Sequence, residues 1–353
     1  MDTILSPRRR TILQALGATA ILAGCGDIAS PGRRTLAAFH GPAMGTVWNA
    51  KLAGPLAEGL ARKGAGAVAA ALEGVVARMS TYLDTSELSR FNRQPAGAPF
   101  AVSRDTLEVF ALAREVSEAT AGAFDVTVAP AVDAWGFGPS GVQRIPAAAE
   151  LMALAPRIDW RAISVDRGAG TLAKDRDGVR ADLSGIAKGY GVDLAARALE
   201  ALGATDYMVE CGGEVRCSGR NAEGRQWRIG IERPDAVPQQ AWLVVPLDGL
   251  AMATSGDYRI FFEQGGRRYS HEIDPTTREP VRGSLASVSV VARDCARADA
   301  LATALFVMGA GRGLEFASRT GLAACFIERG GDGKLVDRQS PEFAKLAPER
   351  VKG

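Results

Sequence analysis

The 353-residue chain is 47% hydrophobic and 23% charged, which suits a soluble globular protein of one large domain or two closely joined ones. Its 42 basic and 40 acidic residues leave a formal charge of +2, too even to hold nucleic acid or an anionic membrane by a broad field, so any anion must be held by a local site. His40 and His271 are the only histidines, which excludes a histidine-rich metal cluster.

Residues 1–24 read as an export signal. Arg8 to Arg10 with Thr11, Ile12 and Leu13 resemble a twin-arginine signal, and "LAGC" resembles a lipobox whose Cys25 is lipidated after cleavage. The apolar run is too short for a membrane span of roughly 20 residues. The expectation is an exported lipoprotein, anchored at Cys25 and facing the periplasm or cell exterior. A plain cleaved signal, or a cytosolic chain with an apolar start, is the alternative. Residues 25–40 carry Pro, Gly and charge without periodicity and read as a tether, residues 41–335 as the folded body, and residues 336–353 as a polar tail.

In the body, "AMGTVWNAKLAG" alternates like a strand and "AEGLARKGAGAVAAALEGVVARMSTYL" follows as a long alanine-rich helix. Tyr82 then precedes Asp84 and Glu87, a capping pattern with a local explanation. "SRDTLEVFALAREVSEATAG" is a second amphipathic helix. "AFDVTVAPAVDAWGFGPSG" reads as a loop whose Phe124, Trp135 and Phe137 either sandwich a planar ring or anchor the loop to the core.

Within "ADLSGIAKGYGVDLAARALEALGA", Ser184 and Gly185 read as a turn and N-cap, and Val192, Ala195, Ala196, Leu199 and Leu202 recur at helical spacing. Lys188 therefore sits near a helix start, where a cation opposes the macrodipole by about 0.3–1 kcal/mol. Either it belongs to a phosphate site at that helix end, or it bends out into water.

Strands broken by glycines follow, then the polar loop "RYSHEIDPTTREPV". There His271 is a candidate for proton transfer, and Asp274 either acts instead or caps its own turn. The last helix is expected over Ala296 to Met308, stopped by Gly309 and Gly311. Asp299 and Thr303, four apart, share one face and offer two oxygens to a small hard cation such as Mg²⁺. The alternative is a solvated aspartate and a threonine bonded back to its own helix. Cys211, Cys217, Cys295 and Cys325 lack CxxC spacing; they are free buried thiols, or Cys211 and Cys217 pair. Runs of strands with interspersed helices give an α+β fold of mixed or antiparallel sheets, and no Rossmann or P-loop fingerprint stands in strand-to-helix context.

Taken in order, "MGT", "MSTY" with "SELSRFN", "GAFDVTVAP" with "WGFG", "DLSGIAKGYGVD", "GGEVRCSG", "SGDY", "HEIDPTTREPV" and "ADALATALFVMG" resemble the ApbE family over about residues 41 to 330. Members of that family are FAD:protein FMN transferases. The resemblance implies a Mg²⁺-dependent enzyme that cuts the FAD pyrophosphate, releases AMP and leaves FMN on a threonine hydroxyl of an acceptor protein. It implies a cation held by Asp299 and Thr303 with backbone oxygens of Gly185 and Ala302, and FAD touched by Met44, Tyr82, Ala123, Phe124, Asp125, Asp182, Lys188 and Ile273. His271 is the first candidate for the base and Asp274 the second. Redox-driven membrane complexes are clients by resemblance only. Two departures stand out: Cys211 where the family often has glycine or asparagine, and Ala302 where a second acidic residue can stand. An exported FAD-binding carrier and a metal-dependent FAD pyrophosphatase are the competing readings.

Overall fold

In "TVWNAKLA" Trp48, Ala50 and Leu52 are buried and Val47, Asn49 and Lys51 are exposed, the period of two expected of a strand with one covered face. In "LASVSVVA" seven consecutive residues are buried, as in a strand covered on both faces. Both belong to an eight-stranded sheet in a computed structural model that describes residues 34–56 and 59–351. The export signal, the lipobox and the start of the expected tether lie outside the described residues.

The strands are β1 (Leu36–Ala43), β2 (Thr46–Ala53), β3 (Tyr207–Cys211), β4 (Glu214–Ser218), β5 (Leu250–Gly256), β6 (Leu285–Ala292), β7 (Ala323–Arg329) and β8 (Leu335–Gln339). They lie side by side in chain order, every neighbouring pair antiparallel. The long helices are α1 (Leu60–Met79), α2 (Arg104–Ala119), α3 (Ser184–Ala201) and α4 (Cys295–Thr320). On one face of the sheet Val288 and Val290 join Leu301 and Leu305 of α4, while Tyr207 and Val209 join Leu199 of α3 and Leu72 of α1. On the other face Val215, Met252, Val291 and Ile327 pack against Trp227, Ile231 and Val245 of a smaller three-stranded sheet. Each fully buried aliphatic side chain here is worth about 1.5–3 kcal/mol over its exposed state. The fold is α+β, as expected.

Several boundaries differ from the sequence reading. Leu36 to His40, expected in the tether, run in β1 in register with Ala53 to Asn49, and Phe39 packs edge-on against Trp48. Val126 to Trp135, expected as loop, form a 3₁₀ turn (Val126–Val128) and a short helix (Ala129–Trp135). The polar loop around His271 contains short strand pairs, among them Ile273–Asp274 with Glu279–Pro280. Gly309 does not end the last helix: it breaks it locally at φ 76°, ψ 166°, and the helix resumes to Thr320. The second half is retained because Gly313 and Ala317 bury against the sheet; a Cβ on Gly313 would stand 2.8 Å from the Phe326 ring. This helix is long and apolar enough to cross a membrane, yet half of that stretch is buried inside the protein, as in a core helix. Residues 336–350 are no free tail. β8 pairs with β7, Phe343 is fully buried, and Glu349–Arg350 extends the smaller sheet. The four described cysteines are free and buried, so Cys211 and Cys217 do not pair.

Candidate active site

The helix carrying Lys188 begins one residue later than its cap. Asp182 Oδ1 accepts from Ser184 N at 2.7 Å and Leu183 holds the N-cap position, so Asp182 does the capping expected of Ser184. Glycine lets this helix approach α4 closely. A Cβ on Gly189 would lie 2.4 Å from the Cys295 carbonyl oxygen, and one on Gly185 would lie 3.1 Å from Thr303 Oγ1 and 3.2 Å from the Phe124 ring. Across that contact Gly189 N donates to Asp299 Oδ2 at 2.9 Å, and Thr303 Oγ1 bonds Ser255 Oγ at 3.0 Å. Asp299 is 3% exposed, which removes the reading of a solvated helix residue.

Lys188 does not bend into water. Its Nζ lies 2.7 Å from Glu214 Oε1 and 3.9 Å from Asp299 Oδ1. Burial works against the lysine's charge, but Asp299 and Glu214 outweigh it and raise its pKa. Burial raises the Glu214 carboxyl and Lys188 pulls it back down; burial raises Asp299 and Glu272 as well. Glu214 Oε2 is buried with no hydrogen-bond partner. Sequence reasoning missed Glu214 and Glu272. The signal for Glu214 was the glycine pair before it: Gly212 and Gly213, at φ 68° and 112°, form the two-residue turn between β3 and β4 that sets Glu214 opposite Cys211. A Cβ on Gly212 would fall 3.4 Å from Lys188 Cδ and 3.5 Å from Glu214 Oε2.

Asp193, also missed, secures the start of α4. Its Oδ1 accepts from Arg216 Nη1 at 2.6 Å and Cys295 N at 3.0 Å, and its Oδ2 from Ala296 N at 3.0 Å. A carboxylate one helix away thus caps α4 a turn before Asp299, so the Asp299 side chain sits on a fixed element.

These groups open into a cavity of about 1170 Å³. Its wall includes Gly185, Lys188, Asp299 and Thr303 together with Glu214, Ser255 and Glu272. Met44, Tyr82, Ala123, Phe124, Asp125 and Asp182 line it too, as do His271 and Ile273. Asp274 and Ala302 do not. Asp274 Oδ1 accepts from Thr276 N at 2.8 Å, the turn-capping alternative, and Ala302 is fully buried in the core.

Met44 holds φ 51° in the β1–β2 turn beside Gly45, a costly conformation for a non-glycine residue and one that concentrates at functional sites. Asp125 is occupied by its own neighbourhood: Thr127 N, Thr127 Oγ1 and Trp160 N all donate to it, and burial pushes it up to about 6. Tyr82 is largely exposed, with its hydroxyl donating to Phe137 O at 3.2 Å. Trp135 anchors its segment, donating Nε1–H to Arg278 O, whereas Phe137 faces the cavity. Glu87 reaches beyond its local pattern: its Oε2 accepts from Ser103 N, Ser103 Oγ and Thr106 Oγ1 at the start of α2, while Ser86 caps its own helix. His271 is half-exposed, its Nδ1 placed 3.2 Å from Ile260 O. With that nitrogen donating its proton to the carbonyl, Nε2 keeps a lone pair for an incoming proton.

The donors near Asp299 and Thr303 are all oxygen, the set a hard divalent cation takes. Among the described residues no three His, Cys, Asp or Glu side chains gather as a metal cluster. The protein therefore offers a partial shell of the kind Mg²⁺ uses when a substrate's phosphate oxygens and waters complete it.

The sequence model of the ApbE family matches residues 44–326. The FAD:protein FMN transferase of Haemophilus influenzae is 43% identical over 284 residues, covering 79% of this chain and 82% of that protein. That of Vibrio cholerae is 41% identical over 325 residues, covering 92% and 95%. Among solved structures, the flavin transferase ApbE from Vibrio cholerae superposes with a TM-score of 0.80 at 40% identity, over 88% of this chain and all but 1% of that one, since 99% of it is covered. The apo flavinyl transferase ApbE of Pseudomonas stutzeri gives 0.80 at 38% identity, over 90% and 98%. Matched from the Met44 turn into β7, and along nearly the full length of the Vibrio cholerae relative, the chain belongs to the ApbE family.

Proposed function

We infer that this chain is an FAD:protein FMN transferase, moving FMN from FAD to a threonine hydroxyl of an acceptor protein with release of AMP. The observation that carries the reading is the meeting of Lys188, Asp299 and Thr303 in one cavity, at the contact of two helices held together by glycine. Phosphoryl transfer asks a protein mainly for position and charge neutralisation, and these residues supply both.

The proposed cation is Mg²⁺, with Asp299 and Thr303 and the backbone of Gly185 as its protein ligands. When bound, it would act as a Lewis acid on the diphosphate. Lys188 adds a positive charge beside the same groups. Phe124, Met44 and Tyr82 supply apolar and aromatic wall for a planar ring system. His271 Nε2 takes the proton of the acceptor hydroxyl; the hydroxyl oxygen bonds to the FMN phosphorus, and the phosphorus–oxygen bond to AMP breaks. Export and lipid anchoring at Cys25 belong to the same proposal, and so does a client in a membrane redox complex.

The test is direct. The soluble body is incubated with FAD, Mg²⁺ and a candidate acceptor, the acceptor is denatured, and its band is examined for flavin fluorescence alongside AMP. Transfer gives both signals. Free FMN with AMP would instead mean hydrolysis, and unchanged FAD a carrier.

A further inference from the structure

Lys188 has no anion to wait for in this site, because the protein already provides two. Its ammonium rests on Glu214 Oε1 at 2.7 Å with Asp299 Oδ1 at 3.9 Å. The two carboxylate side chains are 2% and 4% exposed, against 31% for the lysine, so little water screens the group. Two buried carboxylates face one ammonium, which leaves one negative charge in excess. Glu214 Oε2, buried and unpartnered on the cavity wall, adds an acceptor where a diphosphate would bring further oxygens.

A site built this way repels the substrate that the proposed function assigns to it. We propose that Glu214 is a positioning residue that withholds Lys188 from the diphosphate until a divalent cation enters, so that FAD binding is conditional on the cation. The cation's two charges offset the excess carboxylate, and the diphosphate's oxygens replace Glu214 as the partners of the ammonium. Glu214 thereby discriminates against the cation-free dinucleotide, and FAD bound without its cation is not committed to the site. The inference rests on the transferase reading only in taking FAD as the ligand.

The experiment measures FAD binding by the change in flavin fluorescence, with EDTA and then with saturating Mg²⁺, for the wild type and for Glu214→Gln. The glutamine keeps the shape and an oxygen for Lys188 while removing one charge. In the wild type, Mg²⁺ should tighten FAD binding by at least about tenfold. In the variant, cation-free binding should become tighter than in the wild type by about fivefold or more, shrinking the Mg²⁺ effect. A merely structural glutamate would move the other way, since its loss would loosen the site. Cation-free affinity that is unchanged or weaker in the variant would overturn the proposal.

If Glu214→Gln does not fold, the wild type alone decides through reciprocity. Mn²⁺ binding followed by its paramagnetic signal must tighten with FAD by the same factor by which Mn²⁺ tightens FAD. Equal Mn²⁺ affinity with and without FAD refutes the coupling. FAD that binds but is never transferred or cleaved would instead count against the transferase reading alone.

Discussion

Gly189 lends its backbone amide to Asp299: the N–H donates to Oδ2 at 2.9 Å from a helix that in a regular α-helix would offer it to Gly185 C=O. The carboxylate is thereby aimed by one oxygen and left with the other, Oδ1, turned toward Lys188. Replacing Gly189 by alanine tests this contact. The added Cβ would meet the Cys295 backbone at 2.4 Å, which cannot swing aside, so α3 and α4 must separate. Stability should fall by about 1–3 kcal/mol in denaturant unfolding, with activity falling further as Asp299 shifts. A variant as stable and as active as the wild type would show that the close approach is not needed.

Asp299→Asn keeps an acceptor for Gly189 N and removes the charge. It should fold, and Mg²⁺-dependent AMP release should drop by at least ~10²-fold, the scale of several kcal/mol lost from charge stabilisation. Coupled detection of AMP beside a circular dichroism spectrum separates the two effects. Normal turnover at ordinary Mg²⁺ would remove Asp299 from the cation site.

His271→Ala should leave FAD affinity little changed and slow covalent flavin transfer by about 10²–10⁴-fold, the range for a lost general base. Fluorescence retained by the denatured acceptor reads the second quantity, and binding titration the first. Undiminished transfer would pass the role to another group on the wall.

Asp193→Ala takes the acceptor from Cys295 N and Ala296 N and leaves the Arg216 guanidinium only the more distant Asp294 as an ion-pair partner, 3.8 Å away. Losing a charged acceptor that serves two backbone donors and one guanidinium costs about 1–3 kcal/mol, so urea unfolding should move to lower midpoints. A loss below about 1 kcal/mol would mean that water readily takes over the cap.

Asp125 predicts a pH dependence. Its folded pKa of about 6 lies above the usual carboxylate value, so the folded chain holds the proton more tightly than the unfolded chain does. Stability from this group is therefore fully present below about pH 4 and is lost as pH rises to about 6, by roughly 3 kcal/mol. Asp125→Asn should flatten that part of the stability profile relative to the wild type. Parallel profiles would show that the burial cost is met elsewhere.

Asp299 and Thr303 were legible because helical spacing alone puts positions four apart on one face, and both do line the cavity. Lys188 was legible as an oddity of charge near a helix start. Its partner was not, since Glu214 comes from β4 and reaches Lys188 only through the pairing of β3 with β4 and the packing of α3 on that hairpin. Glu272 and Asp193 were hidden for the same reason: a buried carboxylate announces itself only through what surrounds it. The outer strands were misread because the tether and the tail looked polar. In β1 alternate residues are exposed, and in β8 only Leu335 is buried, so neither carries the apolar run by which inner strands such as β6 declare themselves. Gly309 was read as a stop because glycine usually is one past a helix end, and here tertiary packing carried the helix through it.

The last segment of the chain has a practical weight that its composition conceals. Trimming it at Leu335 to make a shorter protein would strip β7 of its neighbour, leave a row of backbone donors and acceptors along Cys325 to Arg329 without partners, and empty the seat of Phe343. Such an uncovered edge recruits the same edge of another molecule, so the shortened protein would precipitate or form fibres before any question of catalysis arose.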